Sequence, residues 1–189
     1  MKTKPLTFLL ALTFLFLFSG SSVVFADDLQ LLLPVAEQGD VEAQINLGAM
    51  YEMGHGVLQD YEEAVKWWKL AAEQGDASAQ FNLGVMYSDG EGVPQDDKEA
   101  VKWYQLAAEQ GVTEAQIKLG KMYSKGQGVE QDYVLACAWI YFARFRLDKF
   151  DQGAMKDIDR MSEEMTPEQI EKAKEIAHSW RDEEMNKRS

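Results

Sequence analysis

Cysteine is almost absent from this sequence, since Cys137 is the one cysteine among 189 residues. A single thiol cannot form an internal disulfide or supply the clustered thiolates of a structural zinc site. Histidine is equally scarce, and His55 and His178 lie in no metal-binding spacing. We therefore predict no bound metal, and we expect packing alone to stabilise the fold.

Basic residues are also few, with 19 lysines and arginines against 32 aspartates and glutamates and a formal charge of −13. Nucleic acids are bound mainly through lysines and arginines that contact phosphates, and a strongly acidic surface opposes this contact. The composition therefore predicts that nucleic acid is not a partner.

Long apolar runs are confined to one place, Leu6 to Phe18, which follows Lys2 and Lys4. Small residues then lead to Ala26, as in a secretory signal peptide, so we predict a signal over residues 1–26 and a periplasmic or secreted protein. Cleavage leaves 17 basic against 32 acidic residues, a formal charge of −15. The alternative is an uncleaved anchor, but the run is shorter than the roughly 20 residues that cross a bilayer. We expect no membrane span after cleavage.

The remainder is built on a repeat of 36 residues, which is typical of a solenoid. The same residue recurs at five positions of the unit: Gly39, Gly75 and Gly111; Leu47, Leu83 and Leu119; Gly48, Gly84 and Gly120; Tyr51, Tyr87 and Tyr123; Trp67, Trp103 and Trp139. Spacings of three and four predict two helices in each unit, here named A and B, joined by a G-x-G-V loop. The glycine in mid-helix A suggests a contact too close for a Cβ.

Helix caps are also repeated. Asp40 and Asp76 are expected to cap A helices, while the third unit has Val112 there and is expected to shift its cap to Thr113. B helices should be capped by Asp60, Asp96 and Asp132, with capping boxes completed by Glu63 and Glu99. In the first unit we expect helix B to bury Ala64, Trp67, Leu70 and Ala71.

This pattern resembles the Sel-one-like (Sel1-like) repeat family of the tetratricopeptide-like superfamily, because the LG, GxGV, A-x-x-W and AAEQG elements recur together from Gly39 to Ala143. The resemblance implies an all-α fold, a right-handed α-solenoid of helix-turn-helix repeats. It also implies a concave face, lined by the A helices, that binds other proteins.

The ends are expected to cover the terminal repeats. We predict an N-terminal capping segment over 27–38, three repeats over 39–148, capping helices over 149–184 and a polar tail over 185–189. Pro34 is expected to kink the first helix or to mark its start. The last helix opens with Thr166-Pro167-Glu168-Gln169, which is a capping box with proline at the first helical position.

No set of residues predicts catalysis or a cofactor, so we expect no enzyme. Cys137 aligns with Val65 and Val101 and is interpreted as a small apolar core residue. Some cysteine-rich members of the resembled family have been regarded as β-lactamase-like or penicillin-binding, but the sequence has neither S-x-x-K nor K-T-G. A β-lactamase-like hydrolase is therefore the least favoured alternative.

The candidate binding residues are those that differ between matched A helices on the stripe that faces away from the core. They are Asn46, Ala49 and Met53; Asn82, Val85 and Asp89; Lys118, Lys121 and Lys125. Glu42, Ser78 and Glu114 begin the same stripe. The three lysines form a basic strip in an acidic chain, which favours a protein or extended peptide partner with an acidic segment or a C-terminal carboxylate. The alternative interpretation is that they only balance nearby acidic faces.

The leading hypothesis is thus an exported scaffold that holds a protein partner in its concave groove. A cell-wall or glycan-binding module is the alternative, and exposed aromatic residues would favour it. Trp67, Trp103 and Trp139 recur at an expected core position, which leaves Trp68 and Trp180 as weaker candidates for such a role.

Overall fold

The computed structural model describes residues 22–145 and 152–188. Most of the predicted signal peptide, residues 1–21, lies outside the described residues. Within the described ranges the chain forms nine α-helices and no β-strand. They are α1 (Ser22–Glu37), α2 (Val41–Met53), α3 (Tyr61–Glu73), α4 (Ala77–Asp89), α5 (Asp97–Glu109), α6 (Thr113–Lys125), α7 (Tyr133–Arg144), α8 (Gln152–Ser162) and α9 (Pro167–Arg188).

The helices form a solenoid of hairpins, as the repeat predicts. Each A helix packs on the B helix that follows it, so that α2 pairs with α3, α4 with α5 and α6 with α7. Successive hairpins are joined by the contacts of α3 with α4 and of α5 with α6. From α1 to α7 each helix therefore packs against its sequence neighbours, which is the one-dimensional arrangement of repeat proteins.

Aspartates begin most of the helices, as predicted. Asp40 and Asp76 each accept a hydrogen bond from the amide three residues on, and the B helices begin at Asp60, Asp96 and Asp132 in the same manner. These bonds satisfy amides that the first helical turn leaves unpaired. The helix ends are therefore set by local sequence.

One half of the predicted capping boxes of the B helices is wrong, because the glutamate side chain does not accept a hydrogen bond from the amide of the capping aspartate. The amide of Asp60 donates to the carbonyl of Tyr51 in the last turn of α2, and Glu63 instead pairs with Lys66 at 2.5 Å. Glu99 likewise pairs with Lys102. Because the end of the A helix already satisfies the capping amide, the glutamate is available for a neighbour one turn on.

The cap predicted at Thr113 is wrong, because Val112 occupies the N-cap position of α6 and Thr113 is the first helical residue. Valine has no side-chain acceptor, and no side-chain hydrogen bond caps this helix. The capping box at the start of α9 is confirmed, since Gln169 Oε1 accepts from the amide of Thr166 at 2.8 Å and Thr166 Oγ1 accepts from the amide of Gln169 at 3.3 Å.

The glycine in each A helix allows a close helix contact, as predicted. A Cβ at Gly48 would lie 2.7 Å from the ring of Trp68, and one at Gly84 would lie 2.7 Å from the ring of Tyr104. At Gly120 it would lie 2.5 Å from Ile140 Cγ1. The lack of a side chain at the glycine therefore leaves space for the large residue of its partner B helix.

The prediction that Trp67 is a core residue is only partly right. Trp68 is 2% exposed and fills the contact with Gly48, whereas Trp67 is half-buried and packs on the cluster of Ala36, Ala43 and Leu47. Leu70 was also expected inside, but it is 44% exposed. Adjacent helical positions point about 100° apart, so Trp68 fills the contact with Gly48 while Trp67 is turned toward the contact between α1 and α2.

The loop glycines also maintain close spacing between repeats. Gly92 has φ +70°, and a Cβ there would overlap the carbonyl oxygen of Tyr61 at the start of the preceding B helix. Gly128 has the same relation to Asp97. Both a left-handed backbone and a lack of space therefore require glycine at these two positions.

The two ends extend the repeat with different helices. The first helix begins at Ser22 and includes Pro34, so a helix start near Pro34, one of the two alternatives predicted there, is wrong. At the other end, α9 packs mainly on α7, and Ala173 and Ala177 are fully buried there. The helix continues to Arg188 and so includes most of the predicted tail. No helix in the described residues is long and apolar enough to span a membrane.

Candidate protein-binding face

The stripe of candidate residues runs along the A helices, with eight of its twelve residues exposed and four half-buried, and is called the A-helix row below. It comprises Glu42, Asn46, Ala49 and Met53 on α2; Ser78, Asn82, Val85 and Asp89 on α4; and Glu114, Lys118, Lys121 and Lys125 on α6. The opposite stripe of α2 is buried through Ala43, Leu47 and Gly48. The repeated positions thus build the core, and the variable positions are accessible to a partner.

In the first unit the structure brings the three predicted site residues together. Asn46, Ala49 and Met53 line one open groove of about 400 Å³, which α1 completes with Leu31 and Leu32. Leu31 is 70% exposed and Met53 is 56% exposed. This end of the A-helix row is therefore a mainly apolar surface, to which Asn46 adds an amide and His55 an imidazole.

The second unit offers less accessible surface. Asn82 and Val85 are half-buried, and Val85 packs against the core cluster that contains Tyr104. Asp89 is exposed at the end of α4. Sequence reasoning placed all three on a free stripe, but neighbouring packing leaves Asp89 as the accessible one.

The third unit carries the basic strip. Lys118 and Lys125 are exposed and Lys121 is half-buried. Within residues 22–145 and 152–188, no ion pair involves any of these three ammonium groups, whereas Lys66 and Lys102 on B helices pair with glutamates one turn away. Lys125 also lines a depression of about 320 Å³ beside Arg160. The positive charge of the strip is therefore available to a ligand.

Buried glutamines connect the A helices to the preceding hairpins. Gln44, Gln80 and Gln116 donate to the carbonyls of Ala36, Ala72 and Ala108 at 3.0, 3.2 and 3.0 Å. Two further glutamines extend this ladder, as Gln74 Nε2 donates to Gln44 Oε1 and Gln110 Nε2 donates to Gln80 Oε1, each at 2.8 Å.

Sequence reasoning missed this glutamine ladder. The signal was present, because the glutamines also recur every 36 residues. Only the structure shows that they are buried, and a buried amide with its hydrogen bonds made fixes the register between hairpins more strictly than apolar contacts do. The ladder therefore positions the A-helix row.

Two ionisable groups near the row have shifted pKa values. Burial, with the neighbouring Glu91 carboxylate, raises the pKa of Glu52, and the nearby Trp68 indole partly offsets this. Burial also raises the pKa of the Tyr104 hydroxyl. Neither arrangement places a nucleophile beside a general base, so these shifts reflect packing between repeats.

Cys137 is a core residue, as interpreted from its alignment with two valines. It is 1% exposed, and burial raises the pKa of its thiol to about 11. Its sulfur lies 3.8 Å from the sulfur of Met165, which belongs to the same buried apolar cluster. No group of three or more histidine, cysteine, aspartate or glutamate side chains suited to a metal occurs among residues 22–145 and 152–188.

Comparison with known proteins identifies the repeat. The Sel1 repeat model matches residues 41–76, 77–112 and 113–143. A protective antigen of uropathogenic Escherichia coli with an SLR fold is similar in structure, with 35% identity and a TM-score of 0.70 over 80% of this chain and 32% of that chain. A Sel1 repeat protein from Oxalobacter formigenes has 38% identity and a TM-score of 0.62 over 69% of this chain and 52% of that one.

A more distant likeness concerns the fold alone. Cysteine rich protein B of Helicobacter pylori is 17% identical, with a TM-score of 0.53 over 72% of this chain and 96% of that protein. The chain spans about a third of the Escherichia coli antigen and about half of the Oxalobacter protein. No curated protein matches this chain.

Proposed function

This chain belongs to the Sel1 repeat family, and from that premise we propose that it is an exported scaffold that binds an extended segment of a partner protein along the A-helix row. Sel1 repeats form helical scaffolds for protein interactions, and the coarse function follows from that membership. The choice of surface, the chemistry of the partner and export are specific to the proposal.

The observation that carries the choice of surface is the unequal chemistry of the two ends of the row. An apolar groove lies at one end, beside Leu31 and Met53, and lysines that form no ion pair within the described residues lie at the other. A segment with an apolar side chain at one end and carboxylates at the other would complement both. Burial of the apolar side chain would supply affinity, and the lysines would select its direction.

A charge-reversal experiment tests the proposal. Partners are captured from an envelope extract by the wild type and by the variant K118E/K121E/K125E, and captured partners are compared by mass spectrometry. We expect the variant to lose partners that the wild type retains, and to lose them more completely at low salt because exposed charges are screened by ions.

The matched control is K66E/K98E/K102E, which makes the same change in net charge on exposed B-helix positions. We expect this variant to retain the partners. If the two variants bind alike, the A-helix row is not the recognition surface, and net charge alone explains any loss.

Export is tested separately by the mass of the protein isolated from the cell envelope. We expect a mature chain that begins at Asp27, after removal of residues 1–26. A full-length protein in the membrane fraction would favour the uncleaved anchor.

Two alternatives stay predictions with their own tests. A glycan-binding module would bind purified peptidoglycan, and that binding would survive reversal of the three lysines. A β-lactamase-like hydrolase would turn over a chromogenic β-lactam above background. We expect neither result, because the A-helix row contains no aromatic residue and the thiol of Cys137 is buried.

A further inference from the structure

A second cavity lies away from the A-helix row, between α5, α7 and α9, with a volume of about 320 Å³. Three aromatic side chains, Trp139, Phe142 and Trp180, line its interior, and Gln105, Glu109 and Glu183 lie at its rim. It is called the aromatic pocket below. Unlike the row, it is formed by B helices and by the C-terminal helix.

The aromatic rings contact one another closely. The centroids of Trp139 and Trp180 are 4.3 Å apart, and Phe142 meets Trp180 edge to face at 5.8 Å. Trp139 and Phe142 are nearly buried, at 8% and 6% exposure, while Trp180 is half-buried. The pocket therefore has a lining of aromatic rings in mutual contact, of which Trp180 is the most exposed.

Carboxylates surround this lining. Glu109 and Glu183 are exposed at the rim, Glu184 also lines the pocket, and Lys187 is the one cation among the described residues that lines it. Negative charge therefore exceeds positive charge around an aromatic surface. Such surroundings favour a cation, because the faces of aromatic rings and the carboxylates both attract positive charge.

Comparison with the preceding repeat shows that the rim has lost a cation. Glu109 aligns with Glu73, and Gln105 aligns with Lys69, whose ammonium lies 3.9 Å from the Glu73 carboxylate. In the second repeat Gln105 Nε2 instead donates a neutral hydrogen bond to Glu109 at 3.1 Å. Within the described residues no ion pair involves Glu109, so its charge is available to an incoming group.

We propose that the aromatic pocket binds an arginine side chain of a partner protein. A guanidinium is planar, stacks on aromatic faces and can contact two carboxylates at once, whereas an ammonium is a compact and strongly hydrated charge. The same end of the molecule already contains such a pair, with the Arg181 guanidinium 4.9 Å from the centroid of the Phe145 ring. The formal charge of −13 would attract a basic segment from a distance.

The experiment compares two peptides that differ in the positive charge of one side chain. The probe is the acetylated and amidated peptide Ser-Gly-Arg-Gly-Ser, and its control carries citrulline, the neutral isostere, in place of arginine. Binding to the full chain is followed by the indole N–H signals of Trp139 and Trp180 in NMR spectra at low salt. We expect both signals to shift with the arginine peptide and to stay in place with the citrulline peptide.

Variants then test the rim. E109Q/E183Q should weaken binding of the arginine peptide by about tenfold, since each substitution removes a charge-assisted hydrogen bond. The matched control E73Q/E163Q removes two exposed carboxylates away from the pocket and should bind like the wild type. The variant K118E/K121E/K125E should also bind it undiminished, so that failure of this proposal and failure of the proposed A-helix row are distinguishable.

Three results would overturn the proposal. The first is equal shifts with the arginine and citrulline peptides, and the second is unchanged affinity in E109Q/E183Q. The third is a shift of the same indole signals by chitotetraose in the absence of any response to the arginine peptide. That last result would assign the pocket to a glycan.

Discussion

At the scale of single residues, burial controls the reactivity of Cys137. The thiol is 1% exposed, and burial raises its pKa to about 11, so it stays protonated at neutral pH. Since the thiolate is the reactive form, we expect the native protein to resist a disulfide reagent such as Ellman's reagent at pH 8. One thiol should be titrated rapidly after denaturation in urea. Rapid labelling of the native protein would contradict the packing described for α7.

Glu52 provides a second prediction at this scale, for the dependence of stability on pH. Its pKa is raised above the ordinary value of 4.5 by burial and by Glu91, so the folded protein holds this proton more tightly than the unfolded chain does. Ionised Glu52 therefore lowers the free energy of unfolding above its folded pKa, and this penalty disappears below the unfolded pKa. We expect E52Q to be more stable than the wild type at pH 7.

Urea unfolding of E52Q and wild type between pH 4 and pH 7 measures this difference. The two stabilities should converge as the pH falls to the lower end of this range. E91Q, which removes the neighbouring like charge, should shift stability at pH 7 in the same direction. A gain in E52Q that persists unchanged at low pH would mean that electrostatics is not its source.

At the scale of the helix pair, a substitution at Gly84 tests how closely α4 and α5 must approach each other. Alanine in a helix is about 1 kcal/mol more favourable than glycine. A Cβ at Gly84 would nevertheless lie 2.7 Å from the Tyr104 ring. Overpacking of this kind costs roughly 1 to 3 kcal/mol, so we expect a net loss of stability in G84A by denaturant unfolding.

A double-mutant cycle with Y104L separates the two effects. The smaller side chain should relieve the overlap, so that G84A in the Y104L background costs less than in the wild type. G120A should cost at least as much as G84A, because its Cβ would also lie 2.9 Å from the carbonyl oxygen of Ala136, which cannot rotate away. Stabilisation by G84A would show that the helices can move apart freely.

The glutamine ladder allows another prediction at this scale. Gln80 donates to Ala72 and accepts from Gln110, whereas Gln116 donates to Ala108 but its buried Oε1 has no partner in the described residues. Since a net hydrogen bond contributes about 1 kcal/mol, we expect Q80M to cost roughly 1 kcal/mol more than Q116M. Equal unfolding free energies for the two variants would show that the contact with Gln110 contributes nothing.

At the scale of the whole molecule, neighbour contacts predict local effects of truncation. A chain that ends at Met165 lacks α9 and uncovers Trp139 and Phe142, while α2 to α4 keep all their contacts. In a one-dimensional array the damage should stay near the cut. We expect amide hydrogen exchange in α6 and α7 to accelerate by about tenfold or more, with much smaller changes in α2 and α3.

The control for truncation is a chain that ends at Glu184. It keeps Trp180 and lacks only residues 185–189, which are the last turn of α9 and the last residue of the sequence. It should exchange like the wild type in every repeat. Uniform acceleration over all repeats in the shorter chain would show that the solenoid unfolds as one cooperative unit instead.

Much of the fold could be predicted from short-range pattern. Aspartate caps, loop glycines and the period of 36 residues depend on backbone chemistry within a few residues, and they predicted the A and B helices of the three units. The start of α6 is the exception, because its N-cap is Val112 and not the predicted Thr113. Errors arose where two neighbouring side chains compete for the same core, as with Trp67 and Trp68. An apolar stripe is wide enough to include both, and only the position of the next hairpin decides which is enclosed.

The candidate sites differ in the same respect. The A-helix row could be identified from sequence because equivalent positions in three repeats can be compared directly. The aromatic pocket could not, since Trp180 lies in α9, which does not follow the repeat, and its contact with Trp139 bridges helices distant in sequence.

The repeating hairpin, its aspartate caps and the need for glycine at Gly48, Gly84 and Gly120 could be predicted from sequence, because they follow from local backbone geometry and from internal repetition. Three other features emerged only from the packing of the folded chain: which tryptophan is enclosed, how the buried glutamines connect the hairpins, and where an acidic rim meets an aromatic lining. Those features depend on how helices pack across many residues of chain, and neither composition nor period encodes that packing directly.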